Sequence, residues 1–141
     1  MPINATDRIP TVLVVEDNPA DTALIRYAFK RLDRPLDLTY FTGGSALLAH
    51  LEHGNSRPDC LLLDLSLPGM SGIELLQAIR EREGQPYFPI IIFSASTHPK
   101  DLQEAYAQRA NAFVQKPMNL EEMIKTIDNL ISFWCGSNIL P

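Results

Sequence analysis

Two cysteines in 141 residues cannot build a disulfide framework. Cys60 lies in an apolar run that reads as a buried strand, so it and Cys135 are expected as reduced thiols. No apolar stretch approaches the roughly 20 residues needed to span a bilayer. Residues 1–10 lack the apolar core of a signal peptide. A membrane role and secretion are set aside on those grounds, and a cytoplasmic protein is expected. The formal net charge is −5, which argues against a nucleic-acid surface, since that would need clustered Lys and Arg. His50, His53 and His98 show no metal-ligand spacing. Internal repeats, low-complexity tracts and domain linkers are missing too, so the length fits one domain around one core.

What is present is an alternation. Four apolar runs stand out: Val12 to Val15, Cys60 to Leu63, Ile90 to Phe93, and the shorter Ala112 to Val114. Residues 37–41 alternate, with Leu38 and Tyr40 set against Asp37 and Thr39, as a half-exposed edge strand would. Helical patterns separate the runs. Asn18-Pro19 opens the first, with Asn18 as cap and Pro19 at the first helical position. Leu24, Ile25, Ala28, Phe29 and Leu32 form its apolar face. Gly43-Gly44-Ser45 opens the second and Ser71-Gly72 the third. Residues 99–110 form a weaker helix, since only Leu102, Ala105 and Tyr106 make a face. A strongly periodic helix covers about 119–135, its stripe running from Leu120 to Trp134. Five strand-then-helix repeats predict an α/β fold with a parallel sheet, in which 12–15, 60–63 and 90–93 are central and 37–41 is at an edge.

Open parallel sheets bind ligands beyond the carboxyl ends of their strands. Glu16, Asp17, Asp64 and Ser94 all fall at such ends, and Lys116-Pro117 follows the short last strand. A proline after Lys116 makes that peptide bond a candidate for the cis form. Three carboxylates, a hydroxyl and an ammonium are the inventory of a magnesium-dependent site that accepts a phosphoryl group. Mg2+ prefers oxygen ligands and takes one or two carboxylates together with waters and phosphate oxygens. Asp17 and Asp64 suit direct ligation, Glu16 can act through a water, and the Ser66 backbone carbonyl can add an oxygen. Without a cation the carboxylates repel, and at least one pKa is expected to rise. Asp64, central on the sheet, is the expected nucleophile toward phosphorus. Lys116 and Ser94 would then bind phosphoryl oxygens. Charge-assisted bonds contribute roughly 1.5–3 kcal/mol each. Two or three approach the roughly 5.5 kcal/mol that moves a two-state equilibrium from 1:99 to 99:1, enough to switch a loop.

Taken together, Val-Val-Glu16-Asp17-Asn-Pro, Leu-Leu-Leu-Asp64-Leu-Ser-Leu-Pro-Gly-Met-Ser-Gly, Ser94-Ala95 and Lys116-Pro117 closely resemble the receiver domain of two-component response regulators. The likeness covers about residues 11–134. It implies a flavodoxin-like (CheY-like) doubly wound (βα)5 fold, a five-stranded parallel sheet in the order 2-1-3-4-5. It implies that Asp64 is the phosphoacceptor, that Glu16, Asp17 and Asp64 hold Mg2+, and that Ser94 and Lys116 sense the phosphoryl group. The family's switch aromatic falls on Phe113, which has no hydroxyl and can act only by burial of its ring. Ser66 lies where the family tunes dephosphorylation. Tyr106 is expected in the core or on the switch face.

The expected organisation is a flexible leader over 1–10, a receiver domain over 11–135 and a C-terminal tail over 136–141. With no output domain following, a single-domain regulator is expected, acting through a protein contact, onward phosphotransfer or phosphate storage. The tail, from Ile131 through Phe133-Trp134 to Ile139-Leu140-Pro141, resembles regulators paired with phytochrome-type sensor histidine kinases, and Asn18-Pro19-Ala20-Asp21 fits that group. The resemblance implies such a kinase as partner and a homodimer through the last helix and tail, with Phe133, Trp134, Ile139 and Leu140 as contacts. Phe133 falls off the apolar stripe of its helix, so either a symmetric dimer buries it or the tail folds back over it within one subunit. Two other readings compete with the phosphorylated switch. One is a receiver-like interaction module that never carries phosphate. The other is a magnesium phosphohydrolase, disfavoured because Ser66 stands where such enzymes place an acid/base Asp.

Overall fold

The computed structural model describes residues 8–53, 57–82 and 87–140. The chain alternates strand and helix five times: β1 (Thr11–Val15), α1 (Pro19–Arg31), β2 (Asp37–Phe41), α2 (Gly44–His53), β3 (Cys60–Leu63), α3 (Gly72–Arg80), β4 (Ile90–Ser94), α4 (Pro99–Ala107), β5 (Ala112–Gln115) and α5 (Leu120–Ser132). All neighbouring strands pair in parallel, in the order β2-β1-β3-β4-β5. This is the doubly wound, flavodoxin-like sheet expected from the repeats and the resemblance.

The three central strands are continuous apolar runs because both of their faces are covered. Alternate side chains enter two separate cores. Leu13, Val15, Leu61, Leu63, Ile90 and Ile92 meet Leu47, Leu75, Leu76 and Ala105 from α2, α3 and α4. Val12, Val14, Cys60, Leu62, Ile91 and Phe93 meet Ile25, Phe29, Met123, Ile127 and Ile131 from α1 and α5. The edge strand β2 is exposed at Asp37 and half-buried from Leu38 to Phe41, as expected of an edge, although its burial does not alternate along the strand.

Local chemistry sets the helix starts. The Asn18 side chain accepts from the Asp21 N–H, and Pro19 occupies the first helical turn. Ser71 and Glu74 form a reciprocal capping box at α3. His98 Nδ1 accepts from the Lys100 N–H at 3.1 Å, which gives that histidine a capping role.

Three expectations are corrected. The fourth helix ends at Ala107, short of 110, because Arg109 adopts a left-handed φ of 70°. The Arg109 N–H donates to the Tyr106 carbonyl and the Ala110 N–H to the Ala105 carbonyl. That is a Schellman ending with arginine where glycine is usual. The Arg109 guanidinium donates to the Arg80 carbonyl and the Arg80 guanidinium to the Arg109 carbonyl, each at 3.1 Å, which holds this conformation. The last helix ends at Ser132, short of 135, and a wide π-type turn follows over Phe133–Ser137, closed by the Asn138 N–H on the Phe133 carbonyl at 2.7 Å. The bond before Pro117 is trans, the more stable form of an X–Pro bond by about 0.5–1 kcal/mol.

Of the expected leader, residues 1–7 lie outside the described residues, as does Pro141 of the tail. Residues 8–10 are held against the sheet. Arg8 makes a two-pronged ion pair with the buried Asp59, and the Pro10 carbonyl accepts from the Asp37 N–H.

Candidate functional site

Register brings the chemistry together. Val15 aligns with Phe41 on one side and Leu63 on the other. The chain therefore leaves β1 at Glu16 and β3 at Asp64 side by side, and the Asp64 N–H donates to the Val15 carbonyl at 3.1 Å. Ser94 ends β4 opposite Gln115, which places Lys116 next to it. The Lys116 N–H donates to the Ser94 carbonyl at 2.7 Å. The side chains converge on a cleft of about 570 Å³ lined by Asp17, Asp21, Asp64, Ser66, Ser94 and Lys116, among others.

Glu16, Asp64, Ser94 and Lys116 are each less than a tenth exposed, whereas Asp17 is open to solvent. The Lys116 ammonium donates to Glu16 Oε1 and to Asp21 Oδ2 at 3.0 Å, and lies 3.6 Å from Asp64 Oδ1. Burial works against that cation. The hydrogen bonds to Glu16 and Asp21 and the charges of Asp64 and Glu16 outweigh it, and the pKa of Lys116 is raised. Burial raises both Glu16 and Asp64, with Lys116 opposing in each case. The expected upward shift is therefore present, but desolvation is its first cause, and repulsion from Asp64 only adds to it at Glu16. Backbone N–H groups of Ser66 and Leu65 partly offset the shift at Asp64.

Glu16, Asp17 and Asp64 each present a carboxylate oxygen, all within 4.8 Å of one another. An all-oxygen donor set with one exposed member fits a hard divalent cation that keeps part of its water shell. Ser66 is exposed and lines the same cleft.

Ser94 Oγ accepts from the Ser96 N–H at 3.2 Å. A hydroxyl keeps its own proton after accepting, so Ser94 can still donate into the cleft. Phe113 is half-buried and packs against the core shared by α2, α3 and α4. Its N–H donates to the Tyr106 hydroxyl at 3.1 Å. Tyr106 is half exposed, a surface residue of α4 tied to β5 and not a core residue.

One site residue was missed. Asp21 is the second carboxylate on Lys116 and also supplies the N–H that caps α1. Its only sequence signal is its place three residues after the capping Asn18, in the first turn after β1, where a side chain overhangs the strand end.

The expected dimer contacts are not equivalent. Phe133 is 50% and Ile139 90% exposed, so the tail does not fold back over Phe133. The Phe133 ring meets the Trp134 ring edge-on at 4.9 Å. Trp134 is half-buried against the α1–α5 core, and Leu140 is half-buried. Among the described residues, no helix is long and apolar enough to cross a membrane.

Comparison with known proteins agrees with this geometry. The family described as "Response regulator receiver domain" matches residues 12–128. The chain is 34% identical to the probable methanogenesis regulatory protein FilR2 of Methanothrix harundinacea, over 92% of this chain and 86% of that one. It is 31% identical to the response regulator Rcp1 of Synechocystis, over 92% of each. The Mn2+-bound structure of Rcp1 superposes with a TM-score of 0.82, at 28% identity over 94% of this chain and 99% of that one. The phosphorylated cyanobacterial phytochrome response regulator RcpA superposes with a TM-score of 0.87, at 29% identity over 95% and 99%. Sheet order, cleft chemistry and these matches lead to one conclusion: the chain belongs to the response regulator receiver domain family, whose members are signalling proteins.

Proposed function

We propose that this protein is a phosphorylatable switch that takes a phosphoryl group onto Asp64 from a sensor histidine kinase. The observation that carries the reading is the convergence of Asp64, Lys116, Ser94 and Asp17 on one cleft, with a Glu16 carboxylate oxygen within 4.8 Å of those of Asp17 and Asp64. An Asp64 carboxylate oxygen attacks phosphorus while the P–N bond of a phosphohistidine breaks, and the released imidazole takes a proton. Lys116 moves from its carboxylate partners toward the phosphoryl oxygens, and the free Ser94 proton donates to another. Glu16, Asp17, Asp64 and the Ser66 carbonyl would hold Mg2+, which when bound offsets the negative charge of the phosphoryl oxygens. Rotation of Ser94 would release the Ser96 N–H, and Phe113 would bury further against the α4 face.

A phytochrome-type kinase as donor is part of the proposal, supported by the likeness to RcpA and Rcp1 along almost the whole chain. So is a homodimer through the end of α5 and the tail, supported by the exposed Phe133 and Ile139. Because Trp134 is built into the subunit's own core, the clean test is Phe133→Ser with Ile139→Ser. Light scattering should give a dimer mass for the native chain and a monomer mass for the variant. A native monomer would end the dimer proposal.

The switch itself is tested by intact mass after incubation with a small phosphodonor, with and without magnesium. A magnesium-dependent phosphoryl adduct is expected on the native chain and none on Asp64→Asn. No adduct from either a phosphodonor or a phosphorylated histidine kinase would favour a receiver-like interaction module. Turnover of a phosphate ester would favour the hydrolase.

A further inference from the structure

Cys60 and Cys135 are 75 positions apart in sequence, yet their sulfurs lie 4.0 Å from each other. Cys60 is the first residue of β3 and is buried against the α1–α5 core. Cys135 sits in the wide turn that follows α5 and is half-buried. Both are free thiols here. The proposed phosphoryl switch uses neither, since it works at the opposite, carboxyl end of β3.

We propose that Cys60 and Cys135 are a redox-responsive pair that a peroxide converts to an intramolecular disulfide, fastening the turn after α5 to the sheet. Three observations support this. First, 4.0 Å leaves only about 2 Å to close to bonding distance, and Cys135 lies in a turn at the edge of the fold, outside regular α-helix, where a small shift disturbs little. Second, the two thiols differ in access: Cys135 is partly exposed, while Cys60 is almost fully buried with the Cys135 sulfur beside it. That is the arrangement of an attacking and a resolving thiol. Third, the contact with Cys60 holds the pKa of Cys135 down, opposed by burial and by the charge of Asp59 and helped by Arg34 and Arg8. The same contact, with burial, raises Cys60. Burial penalises a thiolate most at Cys60, so the partly exposed Cys135 is the sulfur that ionises more readily.

The chemistry balances with hydrogen peroxide as oxidant. The Cys135 thiolate attacks one peroxide oxygen and the O–O bond breaks, giving a sulfenic acid and, with one proton, water. The Cys60 sulfur then attacks the Cys135 sulfur. The S–O bond breaks, and the hydroxyl leaves with the Cys60 proton as a second water. Two thiols and one peroxide become one disulfide and two waters, and two electrons pass from sulfur to oxygen. A thiol reductant reverses the bridge.

The test is intact mass of the full-length protein after brief hydrogen peroxide treatment, followed by non-reducing digestion. The native chain should lose about 2 Da and yield a peptide joining Cys60 to Cys135. Dithiothreitol should restore the original mass, and neither Cys135→Ser nor Cys60→Ala should form the bridge. The oxidised chain should melt higher than the reduced one by on the order of 10 °C, because the bridge closes a long loop. Oxygen adducts without a crosslink, a disulfide between two copies, or two free thiols still titratable in urea after treatment would each overturn the proposal. A bridge that lowers the melting temperature would overturn it as well, since it would have formed in an opened state.

Discussion

Lys116→Met is expected to destabilise the fold by about 3–5 kcal/mol at neutral pH, the cost of removing one partner from a buried ion pair. Methionine keeps the length of the side chain, so little packing is lost. What goes is the cation that Glu16, Asp21 and Asp64 share. Glu16 and Asp64 are then left desolvated and facing each other. Their pKa values are already raised by burial in the native chain, and removing Lys116 takes away the charge that restrains the rise. Groups whose folded pKa exceeds the unfolded one favour folding below the unfolded pKa, and this contribution fades as pH rises through the folded pKa. The deficit of the variant should therefore be largest at about pH 7.5 and shrink toward about pH 5, as the carboxylates take up protons. The raised Lys116 works in the same direction for the native chain: its contribution persists through neutral pH and is lost only above its own raised pKa. Millimolar magnesium should also recover part of the deficit by binding the folded state alone. Urea midpoints at the two pH values, with and without magnesium, check all of this. A deficit that does not change with pH would mean that the ion pairs are not what holds the cleft.

The same residues show why much of this site was readable in advance. A parallel strand covered on both faces must be an apolar run, so 12–15, 60–63 and 90–93 could be assigned from side-chain type alone. Once those runs are strands of one sheet, Glu16, Asp64 and Ser94 must emerge at one edge. What stayed hidden depends on geometry that composition does not carry. Asp21 meets Lys116 because of the phase of α1 over the strand ends. Arg109 ends α4 in a left-handed conformation that a glycine would have announced. The partnership of Cys60 with Cys135 needs both the sheet order and the wide turn after Ser132.

Gly72→Ala is expected to cost about 3 kcal/mol, the upper end for overpacking, and to slow phosphorylation of Asp64 at the same time. The loop after β3 doubles back so tightly that the Gly72 N–H donates to the Leu65 carbonyl at 2.9 Å. A Cβ at position 72 would stand 2.6 Å from the Leu65 Cα and still closer to the Asp64 carbonyl oxygen. Both neighbours are main chain, so no side-chain rotation relieves the clash. The backbone of Asp64 and Leu65 has to move, and the Asp64 carboxylate moves with it relative to Lys116 and the acidic pair. Gly69, three residues earlier, is the control. It has a left-handed φ of 73°, but a Cβ there meets nothing within 4 Å. Gly69→Ala should cost only about 1 kcal/mol in backbone strain and leave the phosphorylation rate unchanged. Urea midpoints and a phosphodonor time course on both variants separate close approach from conformational freedom. A Gly72→Ala cost no larger than that of Gly69→Ala, with the phosphorylation rate unchanged, would show that the loop yields at little cost and that the phosphoacceptor is not braced by the return of its own loop.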